Sequence, residues 1–268
     1  MAAVIQLEKV HVLYGSTLAL DVERLAVGAA ERVFVLGASG SGKTTLARLV
    51  KGRLRPSTGT VRVLGQDPAA SGAERRGIQR RVAMIDQEFF LVPRSTVVGT
   101  VLHGALGRVV PWKSLLGWFP PQEWEKAESI LAEVGLNGLG GRRIETLSGG
   151  QRQRAAIARA LMQDADVILA DEPVSNLDPE LAEDALDLLV ACVARRGVTL
   201  VVNIHQPELA RRFATRLIGL AAGRVAYDGS PEGFTAEKAE FLYRRTQAEK
   251  GTKPASKVVS IEKSGRPA

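Results

Sequence analysis

The chain has 268 residues, 45% of them hydrophobic, and a net charge of +7. That allows one or two domains with a full apolar core. No apolar run approaches the roughly 18 residues of a spanning helix, and Met1–Lys9 lacks a basic segment before an apolar core, so neither a membrane span nor a signal peptide is expected. The single cysteine, Cys192, lies in an apolar helical pattern, which predicts a buried thiol, no internal disulfide and a reducing cytoplasm. A basic surplus suits nucleic acid or an anionic membrane surface only when it forms a patch. Here it falls in short pairs such as Arg75-Arg76, Arg80-Arg81, Arg195-Arg196 and Arg211-Arg212, which read as scattered solvated charge.

In chain order, Val4–Leu7 and Val10–Tyr14 are short β-branched runs that predict two strands. Tyr14-Gly15 ends the second, where an aromatic ring can stack on a base or simply sit at a strand edge. A turn at Gly28–Glu31 leads into the apolar strand Val33–Leu36. Next comes Gly37-Ala38-Ser39-Gly40-Ser41-Gly42-Lys43-Thr44-Thr45, and then a helical pattern through Leu46, Leu49 and Val50. Strand, glycine-rich turn and helix form the setting in which G-x-x-x-x-G-K-[ST] binds phosphate. Glycines let successive backbone N–H groups turn round one anion, and the helix N-terminus adds unpaired donors and its positive dipole end. Lys43 would reach the β/γ-phosphates and the Thr44 hydroxyl would bind Mg²⁺, so the stretch predicts a nucleoside triphosphate site.

Gly59–Gly65 is a further predicted strand, residues 69–81 form a basic surface helix or loop, and Val82–Ile85 is a buried strand ending at Asp86-Gln87. Between about 88 and 164 the texture becomes helical. Val97–Leu106 and Glu123–Val134 have helical period, the second through Trp124, Ala127, Ile130, Leu131 and Val134, and Pro111, Pro120 and Pro121 divide the region. Trp112, Trp118 and Trp124 all fall here, either as the core of a small helical subdomain or as a docking face for an apolar partner helix.

Ser148-Gly149-Gly150-Gln151 precedes the amphipathic helix Arg152–Met162 and makes a second helix-terminal anion site. Val167–Ala170 is wholly apolar, the pattern of a parallel strand buried on both faces, and it ends at Asp171-Glu172. Carboxylates at such a strand end face the crevice where open α/β sheets bind ligands. There Asp171 can hold Mg²⁺ through its water shell and Glu172 can polarise an attacking water. Asp178 is a predicted N-cap with Pro179 at the first helical position, and the buried strand Thr199–Ile204 ends at His205. Residues from about 248 to 268 are polar and basic, and read as a disordered tail, inert or in contact with anionic lipid.

Taken together, Tyr14, Gly37–Thr44, Gln87, Leu147–Gln151, Val167–Glu172, Ser175–Asp178 and His205 resemble the ATP-binding subunits of ABC transporters over residues 4 to about 247. The resemblance implies an α/β fold: a RecA-like P-loop NTPase core, an antiparallel β subdomain and an inserted α-helical subdomain at about 88–164. It implies ATP and Mg²⁺ as cofactors. Tyr14 would stack on adenine, Gln87 would link Mg²⁺ to the membrane partner, and His205 would contact the γ-phosphate. It also implies a homodimer holding two ATP molecules head to tail, each between one phosphate loop and the other subunit's Ser148–Gln151, with Asp178 in a dimer-contact loop. Two transmembrane permease subunits and a periplasmic substrate-binding protein complete the implied assembly at the cytoplasmic face of the cell membrane, without nucleic acid.

Within that family, Val101–Arg108, Pro111-Trp112, Leu116–Phe119, Asn203–Gln206, Val225–Gly229 and Phe241–Tyr243 resemble the ATPase of phosphonate importers. Ala38 stands where proline is usual, Asn176 where alanine or glycine is, and Pro207 where valine is typical, which loosens the substrate assignment. Importers of phosphite or related solutes would look nearly the same. The rival classes are cassettes acting on DNA or ribosomes, which resemble tandem or coiled-coil-split arrangements absent here, and export or lipoprotein-release ATPases.

Overall fold

The computed structural model describes residues 3–109 and 117–251, with side chains placed through residue 244. Pro111, Trp112 and Leu116 lie outside the described residues, as does the tail from residue 252. Nine described strands form one sheet: β1 (Ala3–Tyr14), β2 (Thr17–Gly28), β3 (Arg32–Leu36), β4 (Thr58–Val63), β5 (Val82–Ile85), β6 (Val167–Asp171), β7 (Thr199–Ile204), β8 (Arg216–Ala221) and β9 (Arg224–Gly229). Their order is β4-β1-β2-β9-β8-β3-β7-β6-β5. The β8-β3-β7-β6-β5 part is parallel, whereas β1 pairs antiparallel with both β2 and β4. The two short runs expected at 4–7 and 10–14 are therefore one strand. Lys9 between them takes φ 49°, and the register with β4 shifts between Glu8 and His11, so a local irregularity interrupts the alternation without ending the strand.

Side-chain alternation along the parallel strands feeds two cores. Phe34 and Leu36 of β3, Ile168 and Ala170 of β6, and Leu200, Val202 and Ile204 of β7 point into one. Val33, Val35, Val167, Leu169 and Val201 point into the other, together with the antiparallel strands and Leu46, Leu49 and Val50 of α1 (Lys43–Val50). Burial on both faces is why these strands are largely apolar.

The remaining helices are α2 (Gly72–Arg81), α3 (Val97–Leu102), α4 (Pro121–Glu133), α5 (Gly149–Met162), α6 (Pro179–Arg196), α7 (Pro207–Phe213) and α8 (Ala236–Gly251). The helical run expected over Val97–Leu106 splits into α3 and a 3₁₀ turn, His103–Gly107. A Cβ on Gly104 would come 2.3 Å from the Arg159 carbonyl, so the turn lies hard against α5. The helix expected from Arg152 starts earlier, at Gly149, because Ser148 caps it. α3, α4 and α5 pack on one another, with Ala127, Ile130, Leu131 and Val134 buried as the period required. The core reading of the tryptophans is not met at the two described positions: Trp118 and Trp124 are 53% and 41% exposed. α8 continues through Gly251, so the first residues of the expected tail are helical. No described helix is long and apolar enough to cross a membrane.

Candidate functional site

The site is built along the C-terminal ends of four adjacent parallel strands. Leu36 of β3 pairs with Ile204 of β7, Asn203 with Asp171 of β6, and Ala170 with Ile85 of β5. Consequently Gly37, His205, Glu172 and Gln87, scattered over the sequence, each follow the end of one of four neighbouring strands. Ligands of open α/β sheets bind in this crevice.

The loop Gly37–Gly42 closes tightly: Ser41 N donates to Ala38 O at 3.1 Å and Leu46 N to Gly42 O at 2.9 Å. Gly42 starts α1 with φ 108°, and a Cβ there would come 2.9 Å from Ala19 O and 3.0 Å from Leu20 Cδ1 of β2. A Cβ on Gly37 would meet Leu220 O at 2.4 Å. Glycine at these two positions leaves the loop's backbone open to an anion while the sheet presses on its other side. Lys43 is only 4% exposed and folds back over the loop. Its Nζ donates to Gly37 O at 2.8 Å and Ala38 O at 3.3 Å, and lies 3.4 Å from His205 Nδ1. Thr44 is exposed and Thr45 buried at the start of α1, and Ser39 and Gly40 form the exposed crest of the loop.

His205 stands between the loop and the carboxylates. Nδ1 lies 3.0 Å from Gly37 O, and Nε2 contacts Glu172 Oε1. Glu172 adopts φ 52°, a left-handed backbone that costs a non-glycine residue about 1–3 kcal/mol and gathers at functional sites. Its N–H donates to Asn203 O at 3.0 Å, and its carbonyl accepts from Ser175 N and Oγ at 3.3 and 3.1 Å. Asp171 Oδ1 accepts from Asn203 Nδ2 at 2.8 Å. Behind the strand end, the Tyr243 hydroxyl of α8 donates to His205 O at 2.7 Å, and burial pushes the phenol up to about 12.

Gln87 is exposed beyond β5. Immediately after it, Phe89 and Phe90 take φ 56° and 43°, a left-handed pair of bulky residues. Arg159 of α5 holds their carbonyls, with Nη2 2.8 Å from Phe89 O and Nη1 3.2 Å from Phe90 O. Burial lowers this guanidinium's pKa, against the charge of Asp86. The loop bearing Gln87 is thereby tied to the helix that begins at Ser148.

Three expected groups keep different company. Ser148 and Gln151 form a capping box, with Gln151 N donating to Ser148 Oγ at 3.2 Å and Ser148 N to Gln151 Oε1 at 3.1 Å. The open sides of Gly149 and Gly150 face Leu177 and Leu181. Asp178 caps α6, accepting from Leu181 N at 3.0 Å. Tyr14 ends β1 with nearly half its surface exposed, at a hairpin whose second strand carries Ala19 against Gly42. Arg159 has no part in the sequence-level site, and Asn203 and Tyr243 enter it only within the stretches Asn203–Gln206 and Phe241–Tyr243, without a role of their own. A lone amide in a largely apolar strand was the available signal for Asn203.

An ABC transporter family profile matches residues 20–175. The chain belongs to the ABC transporter family. Among curated relatives, the phosphonates import ATP-binding protein PhnC 2 of Pseudomonas aeruginosa is 44% identical over 238 residues, 87% of this chain and 86% of that one. The phosphonates import ATP-binding protein of Thiobacillus denitrificans is 45% identical over 218 residues, 81% and 83% of the two chains. Among solved structures, a dimeric bacterial ABC transporter cassette superposes with a TM-score of 0.73 at 30% identity, over 86% of this chain and all of that one. This ABC cassette is an ATP-hydrolysing transporter subunit, and its sheet, helices and phosphate loop are those of the ABC ATPase fold.

Proposed function

We propose that this cassette hydrolyses Mg²⁺–ATP to drive the import of phosphonates. The observation that carries the catalytic reading is that Lys43 and His205 meet on the carbonyl of Gly37 while the other ring nitrogen of His205 contacts Glu172. Phosphoryl transfer asks the protein for positioning and charge stabilisation, and an ammonium, an imidazole and a carboxylate at one loop provide both. Lys43 and the loop N–H groups bind the β- and γ-phosphates, His205 contacts the γ-phosphate, Glu172 orients and deprotonates the attacking water, and Tyr14 stacks on adenine. Thr44, Gln87 and Asp171 offer a hydroxyl, an amide and a carboxylate, the hard oxygen donors that suit Mg²⁺ when phosphates complete its shell. Bound there, the ion would neutralise charge developing on the phosphate oxygens.

Residues 4–247 act as one nucleotide-binding domain, with the helical part at about 88–164. Two copies pair so that Ser148–Gln151 of each faces the other's ATP, with Asp178 in the contact loop. The dimer serves two permease subunits and a periplasmic binding protein from the cytoplasmic face of the cell membrane. The cargo class follows from relatives named for phosphonates import at 44% and 45% identity over most of the chain.

The test is uptake of a labelled alkylphosphonate by phosphate-starved cells carrying the native chain or Glu172→Gln, with phosphate and phosphite as competitors. Loss of uptake in the variant, with competition by phosphonates alone, supports both the site and the cargo. Unchanged uptake removes the importer reading, and competition by phosphite moves the cargo to reduced phosphorus compounds.

A further inference from the structure

Asn203 is out of place by composition. It is the amide within Thr199–Ile204, a central strand with apolar residues on either side of it, and it is 2% exposed. A buried amide is costly unless it is hydrogen-bonded, so its partner identifies its use. That partner is Asp171, whose Oδ1 accepts from Asn203 Nδ2 at 2.8 Å across the β6–β7 ladder, where the two residues are in register. Among the described residues no hydrogen bond engages Asp171 Oδ2. The backbone of Asn203 holds the neighbouring acid as well, since its carbonyl accepts from Glu172 N at 3.0 Å while Glu172 sits in its left-handed conformation.

We propose that Asn203 is a positioning residue that clamps one oxygen of Asp171 through its amide and so presents the other to Mg²⁺. The register partner of Asn203 on β3 is the aliphatic Val35, so the neighbouring strand on that side does not call for an amide. A hydrogen bond to the anion fixes the carboxylate's torsion, which a strand-end acid otherwise samples freely. The inference rests on the reading of Asp171 as the acid that serves Mg²⁺. Outer partners of metal-serving groups typically tune affinity by about 10- to 100-fold.

The test uses the full-length chain and a fluorescent ATP analogue, titrated with Mg²⁺ from an EDTA baseline, alongside thermal unfolding without nucleotide. Asn203→Leu is expected to raise the Mg²⁺ concentration for half-maximal Mg²⁺-dependent binding on the order of tenfold. Binding in EDTA should stay the same, and thermal stability should fall only modestly, because the bond lost is to a part-exposed carboxylate that water can reach. A merely structural role predicts lower stability with an unaltered Mg²⁺ midpoint. Asn203→Ala, which cannot overfill the strand, provides the same reading should the leucine variant not fold. Asn203→Thr, which keeps a donor on a β-branched frame, is expected to recover most of the native midpoint. Asp171→Asn is the control. If it shifts the midpoint and the Asn203 variants do not, the clamp is refuted and the metal assignment stands. If Asp171→Asn leaves the midpoint unmoved, the metal assignment itself fails, and the clamp with it.

Discussion

Lys51 makes a stability prediction of unusual sign. It ends α1, the helix that begins in the phosphate loop, and its ammonium donates to Val82 O at the start of β5, the strand leading to Gln87. Burial, then the charge of Arg53, lowers its pKa from 10.5 to about 8, with Asp86 opposing. Below pH 8 both folded and unfolded chains hold this proton. Between about 8 and 10.5 the unfolded chain holds it and the folded chain does not, so stability rises with pH through that window. At about 1.4 kcal/mol per pH unit the full displacement corresponds to about 3 kcal/mol, and partial solvent access reduces this to about 2 kcal/mol. Lys51→Met keeps the aliphatic stem and removes the charge. Val82 O retains Gln163 Nε2 at 3.1 Å as a donor, so the variant should be as stable as the native chain at pH 7, or more stable. Urea unfolding of both proteins from pH 7 to 10.5 isolates the effect, because titrations common to both cancel in the difference. The stability of the native chain relative to the variant should climb by about 2 kcal/mol across the window. A difference that stays flat, or a variant several kcal/mol weaker at pH 7, would refute the reasoning.

Tyr243→Phe removes the donor to His205 O and leaves the ring in place. ATP turnover by the purified chain should fall severalfold with KM nearly unchanged, for a loss of about 1 kcal/mol in stability; unaltered turnover would show that α8 does not steady the histidine. Glu133 is held at a pKa of about 2, chiefly by hydrogen bonding from Arg196 and also from Arg195. A depressed carboxyl contributes stability above about pH 4.5 that disappears as pH falls toward 2. Because the cluster is part-exposed, we expect Glu133→Gln to remove about 1 kcal/mol at pH 7 and to flatten the acid limb of a thermal melt series.

The parallel core was legible because strands buried on both faces must be continuously apolar. Val33–Leu36, Val82–Ile85, Val167–Ala170 and Thr199–Ile204 therefore announced themselves, and the chemistry-bearing residues stood at their ends. The glycine-rich loop was equally plain from its spacing after an apolar strand, and the structure supplies the reason for two of its glycines, since a side chain at Gly37 or Gly42 would strike Leu220 O or Ala19 O. Less was readable where local pattern and tertiary contact disagree. Val4–Leu7 and Val10–Tyr14 looked like two strands because Lys9 breaks the alternation, and only pairing with β2 and β4 makes them one. The periodic position of Trp124 suggested the core, yet the packing of α3, α4 and α5 buries Ala127, Ile130 and Leu131 and leaves that ring outside.

By itself the sequence determined the glycine-rich loop after β3, the strand-end acids, the capped helix start at Asp178, and membership of the ABC transporter family. Only the tertiary structure decided which distant groups meet. Strand order sets β7 between β3 and β6, and this brings His205 against both Gly37 and Glu172. Cross-strand register puts Asn203 opposite Asp171, and helix packing carries Arg159 to Phe89 and Phe90. Local propensity reaches a few residues along the chain, whereas these contacts join groups that only sheet topology and close packing bring within hydrogen-bonding distance.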